Sequence, residues 1–318
     1  MTTKNVSVST ANLSTKQLMN EKKSAASIKN VFEKMVPAVL FLFAAVSVLT
    51  TIAILYTLIT EAVHFFQRVS FTEFFTSTNL KPLSQNPSFG LLPLLSGTLL
   101  STIIAMVVAG PIGLMAAIYL SEYASDRVRK LLKPMLELLA GIPTIVYGFF
   151  AFTFVTPLLR SIWPEIELTN ILSPGLVMGI MIIPMVASLS EDAMNSVPNT
   201  MREGAYGLGA TKLETAIKVV IPAAISGIVA SFVLAISRAI GETMIVTIAS
   251  GSTKNFSFDV TESMQTMTAY IVEVSSGDAA AGTTVYYSIY AVALTLFTMT
   301  FLMNLLAKKI ARRFREEY

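Results

Sequence analysis

Six apolar stretches, at about residues 36–60, 93–120, 134–158, 174–195, 222–248 and 285–307, alternate with polar segments along the chain. A bilayer core of ~30 Å requires about 20 apolar residues per helix, so each stretch predicts a membrane-spanning helix. Pro143, Pro157 and Pro184 interrupt the third and fourth stretches, which blurs their boundaries without removing them. The first ~25 residues are rich in Ser, Thr, Asn and Lys, a composition that predicts a disordered tail. No short apolar segment with a small-residue cleavage site precedes Val36, so this tail does not read as a cleaved signal peptide. Phe65, Phe66, Phe71, Phe74 and Phe75 predict a short helix at the membrane surface, and Met264–Ile271 predicts an amphipathic hairpin element. No internal repeat supports an inverted-repeat carrier. The pattern as a whole predicts an all-α, polytopic membrane protein with six transmembrane helices.

Composition agrees. Of 318 residues, 53% are hydrophobic and 14% charged, with a mean hydropathy of +0.66, whereas soluble domains carry about 25% charged residues. The absence of cysteine excludes disulfides, thiolate metal sites and Cys nucleophiles. The single His64 ends the first stretch and argues against a His-built metal or acid–base site. With the amino terminus placed inside, 18 of the 23 Lys and Arg lie on the inner side and four outside, with Arg238 within a span. The positive-inside rule therefore predicts two cytoplasmic termini and a cytoplasmic segment at residues 196–221. The sequence pI near 9 reflects this topology and not a nucleic-acid partner.

Segment 196–221 is long for a loop between spans and carries its own helix signals. Thr200-x-x-Glu203 and Thr211-x-x-Glu214 are capping-box patterns, each predicting the start of a short helix. Gly207 and Gly209 fall between them, where the chain must stop one helix and turn into the next. Met201, Ala205 and Leu208 give the first helix an apolar stripe, and Pro222 opens the next hydrophobic span. The run Glu203-Gly204-Ala205, then Gly209, then Val219, Ile221 and Pro222 resembles the EAA loop of ABC-importer permeases. Gly204 replaces an alanine of that pattern, while the glycine and proline spacings are kept. The resemblance implies that Glu203, Gly204, Ala205, Gly209 and Pro222 form a coupling loop that docks on a cytoplasmic ATPase subunit.

Within the fifth stretch, Arg238 and Glu242 lie four apart, on one face of a continuous helix and within pairing reach. Charges at membrane depth face a protein interior or an aqueous path. The pair is either part of a substrate pathway, with the Arg fork suited to an oxyanion, or a structural ion pair locking two helices. Gly141-Ile142-Pro143 is open in the same way. It either bends a span into a gate or fits close packing, and Pro184 is a second kink candidate. Tyr147 and Phe149, Phe150, Phe152 and Phe154 read as packing and interface anchors.

The run Ser237-Arg238-Ala-Ile-Gly241-Glu242-Thr243-Met244 resembles the Arg-Ala-x-Gly-Glu-Thr signature of Pst-type phosphate-importer permeases. Pro134–Gly148, Phe89-Gly90 with Pro93–Thr98, and Ile182-Ile-Pro184 match the same family, so the likeness runs from about residue 36 to the end. The continuation after Gly-Glu-Thr is more similar to the C-type subunit than to its A-type partner. The resemblance implies the type I ABC-importer permease fold and a substrate-pathway role for Arg238, Glu242 and Thr243. It implies a disordered tail at 1–30, a peripheral first helix at 31–62, an external loop at 63–92, a permease core at 93–310 and a cytoplasmic tail at 311–318. It also implies a prokaryotic inner-membrane location, a second related permease subunit forming a heterodimer, two copies of a cytoplasmic ATPase, and an external phosphate-binding protein. The external segments hold eight acids against four bases. A net-negative mouth repels free anions over a Debye length of ~8 Å, which favours handover from a docked binding protein.

No Gly-x-x-x-x-Gly-Lys-Ser/Thr is present, so ATP and Mg²⁺ are expected in a partner chain, with no cofactor held here. No nucleophile–base or metal constellation accompanies the spans, which sets an intramembrane enzyme last. An Arg–Glu pair does not discriminate among oxyanions, so sulfate or molybdate remain alternatives to phosphate. A stand-alone anion channel or ion-driven carrier would leave the EAA-like loop without a purpose.

Overall fold

The structure, a computed structural model of the chain, describes residues 15–277 and 279–313. Lys4, Asp278 and Arg315 of the charge count lie outside the described residues, as do residues 1–14 and 314–318 of the two expected tails. The described part is mostly helical. Six of its segments are long and apolar enough to cross a membrane: Met35–Phe66, Leu92–Tyr123, Thr144–Ile162, Leu172–Asn195, Lys212–Ile240 and Thr284–Ile310.

The chain divides into two compact units, Met1–Thr57 and Leu58–Tyr318. The first contains most of α1 (Thr15–Phe66), which begins inside the segment expected to be disordered. From Thr15 the sequence offers Lys, Gln, Leu, Met and Glu with no Gly or Pro before Pro37, and these residues propagate a helix readily. Its apolar side chains, Phe41 and Leu49 among them, are exposed. Lipid tails satisfy such a surface as well as protein would.

In the second unit the chain continues through α2 (Phe71–Thr76) and a two-stranded antiparallel ribbon, β1 (Leu80–Lys81) with β2 (Ser88–Phe89). The long α3 (Leu92–Ile118) ends in a π turn, Tyr119–Tyr123. Next come α4 (Asp126–Gly141), α5 (Thr144–Phe150) and α6 (Thr156–Ile162), the last two joined by a π segment at Ala151–Val155. Then follow α7 (Leu172–Asn195), α8 (Asn199–Gly207), α9 (Lys212–Thr215) and α10 (Ile221–Ile240), with a π segment at Ala216–Val220. The chain closes with α11 (Met244–Ala249), α12 (Met267–Ser276) and α13 (Thr284–Arg313).

Prolines shape three of these elements differently from the sequence expectation. Pro157 and Pro222 each follow a π segment, where a widened register accommodates the missing N–H and the helix runs on. Pro222 therefore lies within a continuous helical run from Lys212 to Ile240 and does not open it. The expected third span at 134–158 divides instead. α4 ends at Gly141, Ile142 and Pro143 are extended, and the span proper starts at Thr144. The Leu139 carbonyl, which a residue-143 N–H would have satisfied, accepts the Tyr147 hydroxyl at 2.7 Å.

α3 and α7 form the central pair, with α10 packed against both. Without hydrophobic drive inside lipid, close backbone approach supplies the packing energy, and it needs small residues at the contact. A Cβ on Gly179 would stand 2.8 Å from Val108 Cβ and 2.9 Å from the Ala105 carbonyl oxygen. Around this contact Ala105, Ala109, Val177, Met178, Ile182, Ala235 and Ile245 are buried together. A second cluster gathers Phe65, Phe74, Phe89, Met267 and Tyr270. The phenylalanines of the expected surface helix divide between the end of α1 and α2, and two of the five, Phe65 and Phe74, are fully buried. Within Met264–Ile271 the expected hairpin is absent, because Met267 starts α12 and the Thr266 hydroxyl accepts the Ala269 N–H as its cap. A third cluster, at the α8 end of the bundle, packs Ala117, Met194, Val197, Val220, Ala224 and Ile228 with Met201 against it.

Candidate functional site

The Arg238–Glu242 spacing meets a broken helix. α10 ends at Ile240, and the chain turns through Gly241, Glu242 and Thr243 into the short α11. Glu242 is 8% exposed, and its carboxylate Oε1 accepts the backbone N–H groups of Met244 at 3.1 Å and Ile245 at 3.4 Å. It thus serves the free donors and positive end of α11. The Thr268 hydroxyl, from α12, donates to the Glu242 carbonyl at 2.7 Å. Thr243 donates to the Gly241 carbonyl at 3.2 Å, and its own carbonyl accepts the Thr247 hydroxyl at 2.6 Å. The expected ion pair is corrected: among the described residues no salt bridge joins Arg238 to Glu242. The i,i+4 rule presumes helix continuing past Ile240, and Glu242 is committed to the next helix start.

Arg238 instead reaches toward Met181 on α7, with Nη2 4.0 Å from the thioether sulfur. It lines a cavity of about 350 Å³ between α4, α7 and α10. From α4 come Lys133, Leu136, Glu137 and Ala140, and from α7 come Met181, Pro184, Met185 and Ser188. Both sets follow the i, i+3, i+4, i+7 rhythm of one helical face, so two facing helices build the walls. Pro184 is part of this wall, within an unbroken α7. Gly141 and Pro143 lie at the α4–α5 break and line a neighbouring recess with Pro134, Glu137, Leu138 and Ile142. Among the described residues nothing approaches within 4 Å of a Cβ built on Gly141.

One turn beyond the cavity, α7 carries a fully buried carboxylate, Glu191. Lys133 Nζ stands 3.1 Å from Glu191 Oε2, outside hydrogen-bond geometry, and 3.3 Å from Asp192 Oδ1. Arg129 Nε lies 3.5 Å from Glu191 Oε1, which also accepts Asn195 Nδ2 at 3.2 Å. Desolvation works against the Lys133 ammonium, but its contacts with Glu191 and the charges of Glu191 and Asp192 outweigh it and raise its pKa. Lys133 therefore remains a cation. Ser121 bridges onward, its Oγ lying 3.1 Å from Asn195 Oδ1 and 2.9 Å from Glu122 Oε1, with one proton shared between the two acceptors. Glu122 in turn holds Arg202 of α8 at 2.9 Å.

In the loop, Glu203, Gly204 and Ala205 lie on α8, and Gly209 takes φ +87° in the turn that follows. Only glycine enters that region without cost. Thr211 and Glu214 form the reciprocal capping box in full. The companion box is absent. α8 starts after Pro198, two residues too early for Thr200 to cap it, and no side-chain cap forms there. The stripe also splits, since Met201 packs inward while Leu208 is 92% exposed.

The sequence reading missed Lys133, Glu137, Glu191, Glu122 and Arg202. Glu191 carried a usable signal, an ionisable residue inside a predicted span. The α4 face was hidden because residues 134–158 read as one span.

This helical bundle with a helix-bearing loop has the architecture of an importer permease. Residues 109–316 match the binding-protein-dependent transport system inner membrane component family, and the chain belongs to it. The resemblance to Pst-type permeases is borne out by curated relatives. The Mesorhizobium japonicum phosphate transport system permease protein PstC is 33% identical over 259 residues, covering 76% of this chain and 78% of its own. A probable ABC transporter permease protein, YqgH of Bacillus subtilis, is 35% identical over 245 residues, covering 77% of this chain and 79% of its own. A bacterial ABC transporter involved in importing the acidic polysaccharide alginate shares the fold at a TM-score of 0.61. It is 14% identical and matches 93% of this chain and 100% of its own.

Proposed function

We propose that this permease subunit forms, with a second related subunit, the pore of an ATP-driven inorganic phosphate importer of a prokaryotic inner membrane. The observation that carries this reading is Arg238. It stands in the family signature, lines a cavity between α4, α7 and α10, and has no carboxylate partner among the described residues. A planar guanidinium so placed offers several donors to an oxyanion. Phosphate arrives from an external binding protein. The motor is a pair of cytoplasmic ATPase subunits that hold ATP and Mg²⁺ and grip the 196–221 loop. Exposed Tyr206, Leu208, Leu213 and Ile217 give that grip an apolar contact. Both termini are cytoplasmic in this reading, which the Lys and Arg distribution supports.

The test is Arg238→Gln in the assembled complex, reconstituted with its binding protein. Phosphate uptake should fall to background while assembly stays normal. Loss of assembly would instead assign Arg238 a structural role, and stimulation of ATP hydrolysis by sulfate or molybdate in place of phosphate would shift the reading to those anions.

A further inference from the structure

The cavity that presents Arg238 also presents a second cation. Lys133 and Arg238 line it from α4 and α10, and Glu137 and Ser188 are its other polar residues. Two cations and one carboxylate line the space, and most of its wall is apolar. A doubly charged anion held between the two cations gains attraction to both. We propose that Lys133 is a second anion-positioning residue, forming with Arg238 a two-cation site for a doubly charged oxyanion. The proposal rests on the transport reading above and deepens it.

The two cations differ in a way that suits passage. Arg238 offers a planar fork, whereas Lys133 offers a point charge on a flexible four-carbon stem. Lys133 is not free: its ammonium contacts Glu191 at 3.1 Å and Asp192 at 3.3 Å. An anion in the cavity must share that ammonium with these two carboxylates, so it is attracted without being trapped. Glu191 keeps Arg129 and Asn195 when Lys133 turns away, and the buried carboxylate is not abandoned. The same contacts continue through Ser121 and Glu122 to Arg202 on α8. Movement of the loop helix and release of Lys133 from Glu191 are thereby joined through adjoining groups.

The experiment uses the complete complex in proteoliposomes, with inorganic phosphate and sulfate as probes. Lys133→Gln should lower the maximal uptake rate at least tenfold, with assembly and thermal stability retained, and Lys133→Arg should recover a substantial part of it. Asp192→Asn, which removes one competitor, should lower the substrate concentration for half-maximal uptake and slow turnover. Lys130→Gln, an exposed neighbour on α4, serves as control and should match the wild type. Wild-type uptake by Lys133→Gln would overturn the proposal. So would loss of assembly in both Lys133 variants, which would mark a purely structural ion pair. Should the wild type carry sulfate and not phosphate, the phosphate reading falls, and a loss of sulfate uptake in Lys133→Gln still upholds the two-cation site.

Discussion

Arg202 on α8 grips Glu122, eighty positions earlier at the end of the α3 span, with Nη2 2.9 Å and Nε 3.2 Å from the same carboxylate oxygen. Arg202 also donates to the Val197 carbonyl at 2.7 Å and the Met194 carbonyl at 2.8 Å, so one guanidinium ties α8, α7 and α3 together. Both side chains are nearly buried. Removing one partner of such a pair leaves a charge without compensation and costs ~3–5 kcal/mol. Arg202→Met and Glu122→Leu should each destabilise the subunit by about that amount. The double variant should lose less than the sum of the two. Thermal unfolding in detergent measures the stability. The ratio of phosphate imported to ATP hydrolysed measures coupling, which each single variant should lower.

Gly209 bears on the same loop by a different route. Its φ of +87° is disfavoured for residues with a Cβ, at ~1–2 kcal/mol, while the space around it is open. The cost of substitution is therefore backbone strain and not a clash. Gly209→Asn should retain most uptake, because Asn tolerates this region, whereas Gly209→Val should not. Gly209→Asp adds a charge to a face expected to meet the ATPase. It should insert normally in the membrane yet hydrolyse ATP without importing phosphate. Unchanged uptake by Gly209→Asp would count against the coupling role.

How much of this was readable beforehand depends on the range of each interaction. The six spans were legible because lipid demands long apolar runs. The turn at Gly209 was legible because its determinants are local: a glycine followed by the Thr211–Glu214 capping box. The Arg238–Glu242 relation was misread because helix continuity was assumed. What ends the helix includes a Thr268 hydroxyl 26 residues later and the needs of α11, neither visible in a four-residue spacing. The first capping box failed for a similar reason, since Pro198 takes the cap position of α8 two residues ahead of Thr200. The Glu122–Arg202 and Lys133–Glu191 pairs join distant positions and leave no periodic trace.

Glu242 yields a sharper test of pore geometry. If it paired with Arg238, exchanging the two residues would preserve the contact and restore some uptake. Because its carboxylate accepts the Met244 and Ile245 N–H groups, arginine at 242 has donors where acceptors are required. The double variant Arg238→Glu with Glu242→Arg should therefore remain inactive and be less stable than either wild type or Glu242→Gln. Glu242→Gln keeps a carbonyl oxygen to cap α11, and Glu242→Ala should cost ~1 kcal/mol, as for other lost caps. Uptake assays beside detergent unfolding of the three variants and the wild type separate the cap from the pair. Recovery of uptake in the exchanged double variant would sink the capping account.

The last prediction sets two glycines apart by what surrounds them. Gly179 lies where α7 meets α3, and a Cβ there would press Val108 Cβ at 2.8 Å and the Ala105 carbonyl oxygen at 2.9 Å. The carbonyl belongs to a helix backbone and cannot swing aside, so the helices themselves must separate. Overpacking of this kind costs ~1–3 kcal/mol, and Gly179→Ala should lower stability by that amount, with Gly179→Val worse. Gly141, at the α4–α5 break, has no atom of the described residues within 4 Å of a built Cβ, and its φ is not in the left-handed region. Gly141→Ala should therefore unfold at the wild-type temperature. Any fall in phosphate uptake by that variant then reports on movement at the break beside the cavity and not on damaged packing. Wild-type uptake would remove Gly141 from the gate and leave Pro143, with its missing N–H, as the residue that separates α4 from α5.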